Sequence, residues 1–462
     1  MSREKMKKFG FWSIVLLAIN SIIGTGIFLS PAGVIKVAGT YTPLVYIAAA
    51  VFAGILAVVF ASASKFTRKN GAAYAYTKAA FGPDLGYYIG ITRFTAGAIA
   101  WGVMATAVVR TTLGIFGGAE AQTQSNITIG FIILMAVLLL IIFSGTFVTK
   151  IFSNASTIGK VGALVIAIVA GLVIFIKTGE NHFHEVNLLK DASGEFLIQP
   201  MSMTVFVGAL MSAFYAYTGF ESVSSAATEM HEPEKNLPRA IPLAIGIIAL
   251  IYVGVVSIAM MINPVAVMNS TEPVLLASAY SNPLVKNLIL YGALISMFGI
   301  NIAAAFSTPR IFEAMADEGQ LPSFLRKRTK RGIPLYAFVV TASMAIIVPM
   351  AFRYDMRGIM VISSVSRFLQ FIVVPIAVII FYYNKAKEPI LEAKRNFTTD
   401  VIMPIIAFVL SILLMAKFDW KGQFSLADGS LNYFAIVAMI LGYIVLPLIL
   451  YVPMKLGKFK NN

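Results

Sequence analysis

Residues Asn20 to Pro31 read NSIIGTGIFLSP and sit inside an apolar run from Phe11 to about Val37. The run is long enough for a membrane-spanning helix, which needs about 20 mostly apolar residues. Yet Gly24 and Gly26 flank Thr25 near its centre, where helix propensity is poorest. In hydrocarbon an unpaired backbone N–H or C=O costs several kcal/mol, so a lipid-facing helix does not unwind. Two readings are open for this stretch. Either the small residues let two helices pack closely, or the helix breaks there and turns free backbone groups toward a cavity. A half-helix beginning at such a break carries partial positive charge at its N-terminus, suited to an anion.

The rest of the chain decides the class. Of 462 residues, 58% are hydrophobic and 12% charged, with mean hydropathy +0.84. Soluble domains carry about 25% charged residues. Apolar runs of spanning length recur at about 11–37, 43–64, 86–115, 127–148, 156–177, 201–229, 240–262, 286–315, 335–352, 358–383, 401–416 and 432–453. The expected fold is therefore an all-α polytopic membrane protein with twelve transmembrane helices in a single domain over residues 1–462. A β-barrel would show alternating segments of about ten residues instead. The basic start MSREKMKKFG leads into a run too long for a signal-peptide core, so no cleavable leader is expected.

Charge sets the orientation. The net charge is +15. Its lysines and arginines gather in the segments on the terminus side, at Lys8, Lys65, Lys69, Lys78, the run RKRTKRG from Arg326, Lys394, Arg395 and Lys455. The opposite segments hold far fewer, such as Lys177, Lys190 and Lys286. The positive-inside rule then puts both termini in the cytoplasm, in a plasma-membrane protein. So placed, the positive charge is topogenic, and no nucleic acid partner is expected.

A second interruption tips the balance toward transport. Span six reads SAFYAYTGFESVSSAATEM, with Thr218 and Gly219 in its middle and Glu221 just after. Two interrupted helices at corresponding positions in two halves are the best sequence pointer to a midplane transport site.

These motifs carry a family resemblance. SIIGTGIFLSP, FYAYTGFESVSSAATEMHEPEKNLPRAI, TPRIFEAMADEGQLPSFL and RKNGAAYAYTKAAFGP together resemble the amino acid–polyamine–organocation superfamily over essentially the whole chain. Within it the chain resembles bacterial relatives of the cationic amino acid transporters. The resemblance implies a LeuT-type fold: a 5+5 inverted repeat (about 11–177 and 201–383) with broken helices 1 and 6, plus two C-terminal helices at about 401–453. It implies an amino acid substrate. Backbone amides of Gly24, Thr25 and Gly26 would hold the carboxylate, and carbonyls of Ile22 or Ile23 the ammonium. Carbonyls around Tyr215, Ala216 and Thr218 would complete the ammonium shell, with Tyr217 and Phe220 as gates or pocket walls.

Ionisable residues inside spans are functional hypotheses by default. Lys160, read as lying near the cytoplasmic end of span five, either snorkels to the interface or plays a coupling role. The resemblance implies the latter: it would stand where sodium-coupled relatives bind their cation, near the span-one break and Ser307 and Thr308. Burial disfavours a charged ammonium, so a proton could come and go there. Glu221 could pair with a basic substrate, be protonated or bond backbone amides. Arg93 and Arg110 could snorkel or line the pathway, and Arg367 could repel cationic substrates or pair with Glu221. A neutral substrate is favoured on that account.

Enzyme chemistry is not expected. With no cysteine there is no thiol nucleophile or thiolate metal site. His182 and His184 form a lone H-x-H pair in a connection, without further ligands at metal spacing. No P-loop is present, so ATP is not expected, and neither is any cofactor. The expected function is proton-coupled symport of a neutral amino acid, with the lipid bilayer as environment. Exchange of amino acids, a cationic amino acid or amine carrier, and a transporter-like sensor stand as alternatives. A sensor would typically add a signalling tail, whereas the sequence stops after MKLGKFKNN.

Overall fold

The computed structural model describes residues 8–24, 26–67, 69–190, 194–198, 200–270, 274–351, 354, 356–418, 420–425 and 429–457. Thr25 lies outside the described residues. Those residues form helices joined by short connections, with only isolated β-bridges and no strand among them.

The first apolar run holds two helices, α1 (Phe11–Ile22) and α2 (Gly26–Ala38). Next come α3 (Thr42–Ser64), the short α4 (Ala73–Phe81), α5 (Pro83–Gly117), α6 (Gln124–Phe143) and α7 (Thr146–Thr178). α8 (Met203–Tyr217) gives way to a 3-10 segment, Phe220–Glu229, and then to α9 (Pro233–Ile262) and the short α10 (Pro264–Asn269). α11 (Pro283–Ser307), α12 (Pro309–Asp317), α13 (Leu335–Ala351) and α14 (Met356–Tyr382) follow. α15 (Met403–Lys417), α16 (Trp420–Gln423), α17 (Tyr433–Ile440) and α18 (Leu446–Lys455) close the chain.

Nine helical stretches among the described residues are long and apolar enough to cross a membrane. The outer faces are apolar: Ile129, Ile132 and Ile133 on α6 and Ile166, Val169 and Val173 on α7 are exposed. Water would penalise such a surface, whereas lipid does not.

Besides α13, two apolar helices among the described residues are too short to span alone. α1 has 12 residues, about 18 Å at 1.5 Å per residue, against a hydrocarbon core of about 30 Å. α8 has 15 residues, about 22 Å. Each stops where its glycine motif begins and resumes after it.

Prolines explain three further irregularities. The eighth apolar run, read as continuous, divides at Thr308 because Pro309 has no N–H to give and starts a new helix. Five-residue π-turns, Thr398–Ile402 and Leu441–Val445, precede Pro404 and Pro447. Each widens the helix just where proline would crowd the preceding carbonyls.

Packing gathers the two interrupted helices. α1 and α3 each pack against α9, and α2 and α3 both lie against α8. α5 packs against α11, α13 and α14, and α7 against α11. Ion pairs tie down the terminus-side end. There Arg310 meets Glu229 at 2.6 Å, Arg328 meets Glu313, and Lys78 on α4 meets Glu318 and Glu388. Burial pushes the Lys78 ammonium down, but the two carboxylates outweigh it and hold its pKa above the ordinary lysine value.

Candidate functional site

The two interruptions touch. α1 ends at Ile22, and Ile23 takes extended angles (φ −69°, ψ 102°). α8 ends at Tyr217; Thr218 is extended (φ −74°, ψ 155°) and Gly219 adopts φ +123°. That φ is strained for any residue with a Cβ. A Cβ there would also stand 2.1 Å from the Ser21 carbonyl oxygen. At Gly26 a Cβ would stand 2.7 Å from the Ala216 Cα. Glycine is therefore what lets the broken strands cross backbone against backbone.

A cavity opens at this crossing. Ile22, Gly24 and Gly26 line it from the first interruption and Tyr215, Ala216 and Thr218 from the second. Among the residues expected to hold substrate, these six share one space. Glu221 stands behind the lining, fully buried.

Other expected residues fall elsewhere. The Ile23 carbonyl is already engaged, accepting from Lys160 Nζ at 2.6 Å and from Ser296 Oγ at 3.1 Å. With both lone pairs used, it is not available to a substrate ammonium. Tyr217 turns away from the cavity, its hydroxyl donating to the Tyr46 carbonyl at 3.3 Å and its ring against Tyr252. Phe220 packs into the core, stacked on Phe371 at 6.1 Å.

Lys160 sits farther from the interface than the sequence indicated. α7 begins at Thr146, ten residues before the apolar stretch, so Lys160 is mid-helix and fully buried. Snorkelling is ruled out by that burial. Its ammonium donates to the carbonyls of Asn20 and Ile23 at 3.0 and 2.6 Å. These are end-of-helix carbonyls that the interruption leaves without N–H partners, and a cation suits them. The neighbour from α11 is Ser296, which also reaches the Gly24 carbonyl at 3.3 Å. Ser307 and Thr308, the expected neighbours, stand about three turns farther along and line the cavity near Gly97.

Asn20, also unforeseen, is buried beside this cluster. Its amide donates to Ser153 Oγ and to the Gly299 carbonyl, each at 3.0 Å. A buried asparagine within an apolar run was the available signal, as was the small pair Ser296 and Gly299 on α11.

The carboxylate and the arginines form a second cluster. Glu221 accepts the Gly219 N–H at 2.7 Å and the Arg367 Nε–H at 3.2 Å, and Arg93 Nη2 lies 3.9 Å away. Arg93 also donates to Ser222 Oγ. The backbone bond and the arginine pairing considered for Glu221 thus coexist. Arg110 donates to the Tyr354 carbonyl at 3.3 Å, away from the cavity. His182 lies in a connection and bonds Glu185 at 2.6 Å.

Comparison of the sequence with known proteins identifies a family. The amino acid permease family profile covers residues 9–445. The chain is similar to an uncharacterized transporter of Mycobacterium tuberculosis, with 40% identity over 454 residues, covering 96% of this chain and 94% of the relative. It is similar to the vacuolar cationic amino acid transporter 2 of Arabidopsis thaliana, 27% identical over 412 residues, covering 84% of this chain and 62% of the relative. The branched-chain amino acid permease of Lactococcus lactis is 25% identical over 426 residues, covering 88% of each chain.

Proposed function

The chain belongs to the amino acid permease family and is a multi-pass membrane transporter of amino acids, not an enzyme; from that premise we propose that it is a secondary active carrier driven by protons. One observation carries this reading. Two interrupted helices cross at glycines and turn their backbone ends toward a shared cavity. A zwitterion needs donors for its carboxylate and acceptors for its ammonium, and two helix ends offer both.

In this reading the N-terminal end of α2 at Gly26, with Gly24 and Thr25, receives the α-carboxylate. Carbonyls near Ile22, Ala216 and Thr218 receive the ammonium. The chain is one domain of twelve spans in a LeuT-type arrangement, with repeats over about 11–177 and 201–383 and two added helices. The positive terminus-side segments support a plasma-membrane orientation with both termini in the cytoplasm. Alternating access rocks α1, α2, α3, α8 and α9 against the remainder.

Lys160 is the proposed coupling group. A buried ammonium that holds two carbonyls of the first interruption favours one arrangement of that interruption, and loss of its proton releases it. Exchange is the second reading, because a permanently charged Lys160 would serve equally as a fixed cation. Two arginines near the cavity weigh against a cationic substrate.

Uptake of radiolabelled amino acids into proteoliposomes tests the reading. Concentrative uptake into empty vesicles under an inside-alkaline gradient, collapsed by a protonophore, is the expected result. Uptake only into vesicles preloaded with amino acid would overturn proton coupling in favour of exchange. Failure to bind or move any amino acid would overturn the carrier reading itself.

A further inference from the structure

Two guanidinium groups reach one cavity from different helices, Arg93 from α5 and Arg367 from α14. Among the described residues, Glu221 alone is a carboxylate paired with them, and the protein already uses both of its oxygens. One accepts the Gly219 N–H and the other faces Arg367 and Arg93. The arginines are held in place by further contacts. Arg93 donates to Ser222, and the Arg367 guanidinium lies 5.4 Å from the Tyr215 ring centre.

What is left over points to a ligand. Among the described residues, Arg93 Nε and Arg367 Nη1 are buried and have no hydrogen-bond partner. Arg93 is only 7% exposed. Two positive charges against one negative leave an excess charge in a largely apolar wall, where unpaired ions are costly. A guanidinium offers five donors in a planar fork that matches a carboxylate.

We propose that the transported amino acid carries a second carboxylate, which bridges Arg93 and Arg367 while the helix ends hold its α-groups. This rests on the cavity being the amino acid site, and it replaces the neutral side chain expected from the sequence. A cationic side chain would be repelled by the excess charge. A neutral one would leave the excess charge without a counter-ion.

Competition on the wild-type protein in proteoliposomes is the test. A labelled amino acid found by panel to be taken up is challenged with L-glutamate, L-aspartate, L-glutamine and L-arginine. Glutamate or aspartate competing about tenfold or more better than glutamine is the expected result. Uptake that glutamine or arginine blocks and the dicarboxylates do not would overturn this inference and leave the carrier reading intact. Absence of uptake of any amino acid would overturn both. Arg93→Gln supplies a second readout: the ratio of glutamate to glutamine uptake falls by about tenfold or more. An unchanged ratio, with both uptakes reduced together, would mean that Arg93 reads the common α-carboxylate and would overturn the proposal.

Discussion

The two interruptions solve one problem in opposite ways. Where α1 stops, its last carbonyls are satisfied from a distance, by Lys160 of α7 and Ser296 of α11. Where α8 stops, the remedy is local. Thr218 folds its hydroxyl back to the Tyr215 carbonyl at 2.8 Å, and Glu221 takes the Gly219 N–H two residues away. The carbonyls of the first interruption are therefore held by partners on two other helices, whereas the backbone groups of the second are capped from within its own segment, with Arg367 and Arg93 reaching only the capping carboxylate. An arrangement held by distant partners changes when they move or lose charge. The locally capped one keeps its backbone bonds when they do.

Several substitutions sharpen or break this contrast. The largest effect is expected where the two interruptions press together. Gly26→Leu and Gly219→Ala each force a side chain into the opposite backbone, and at Gly219 the left-handed φ adds strain. Both should abolish amino acid binding, measured on purified protein, while membrane insertion persists. Retained affinity in Gly26→Leu would count heavily against the shared cavity.

Next comes the distant support. Lys160→Met removes the cation that holds two carbonyls, and concentrative uptake should fall by about tenfold or more. The residual transport should ignore the pH gradient, as shown by adding a protonophore. Ser296→Ala removes one hydroxyl from the same carbonyls, worth about 1 kcal/mol, and should lower thermal stability by only a few degrees or less.

The local support should matter less to coupling. Thr218→Val deletes the hydroxyl bond to Tyr215 at a cost of about 0.5–1.5 kcal/mol. Gradient-driven uptake should persist. Loss of proton coupling in Thr218→Val comparable with that in Lys160→Met would erase the distinction between the two interruptions.

The smallest effect lies outside the spans. The Glu185 hydrogen bond raises the His182 pKa above 6.5, against a slight opposing effect of burial. The stability that this pair adds is present below the unfolded value and fades as pH rises through the higher folded value. A histidine NMR titration should show that raised midpoint and its return to the ordinary value in Glu185→Ala, with uptake unaltered.

The interruptions themselves were legible because glycine and threonine at mid-membrane have few other uses. Lys160 and Glu221 stood out because charge in an apolar run is rare. Side-chain direction was harder to read. Tyr217 and Phe220 are apolar on helices apolar on most faces, so nothing in their pattern separates cavity from core. The 3-10 segment after Gly219 also turns with three residues per turn instead of 3.6, which shifts every later face. Ser307 and Thr308 follow from the resemblance, and Ser296 does not stand out in the sequence as the neighbour of Lys160 because the register between α7 and α11 is not legible there. That register follows from close approaches such as Gly292 against Ala163, visible only once the helices are packed. The excess of arginine over carboxylate was countable in sequence, but its convergence on one cavity was not.

The length of α5 has a consequence for the surrounding lipid. Its 35 residues measure about 52 Å, against a hydrocarbon core of about 30 Å. A straight helix of that length tilts or emerges by an amount set partly by bilayer thickness. Arg93 rides on α5, whereas its partner Glu221 rides on the segment after α8. A change in the tilt of α5 with membrane thickness would shift one charge relative to the other. Acyl-chain length would then bear on the spacing of this charge pair, separably from any change in how much protein is folded.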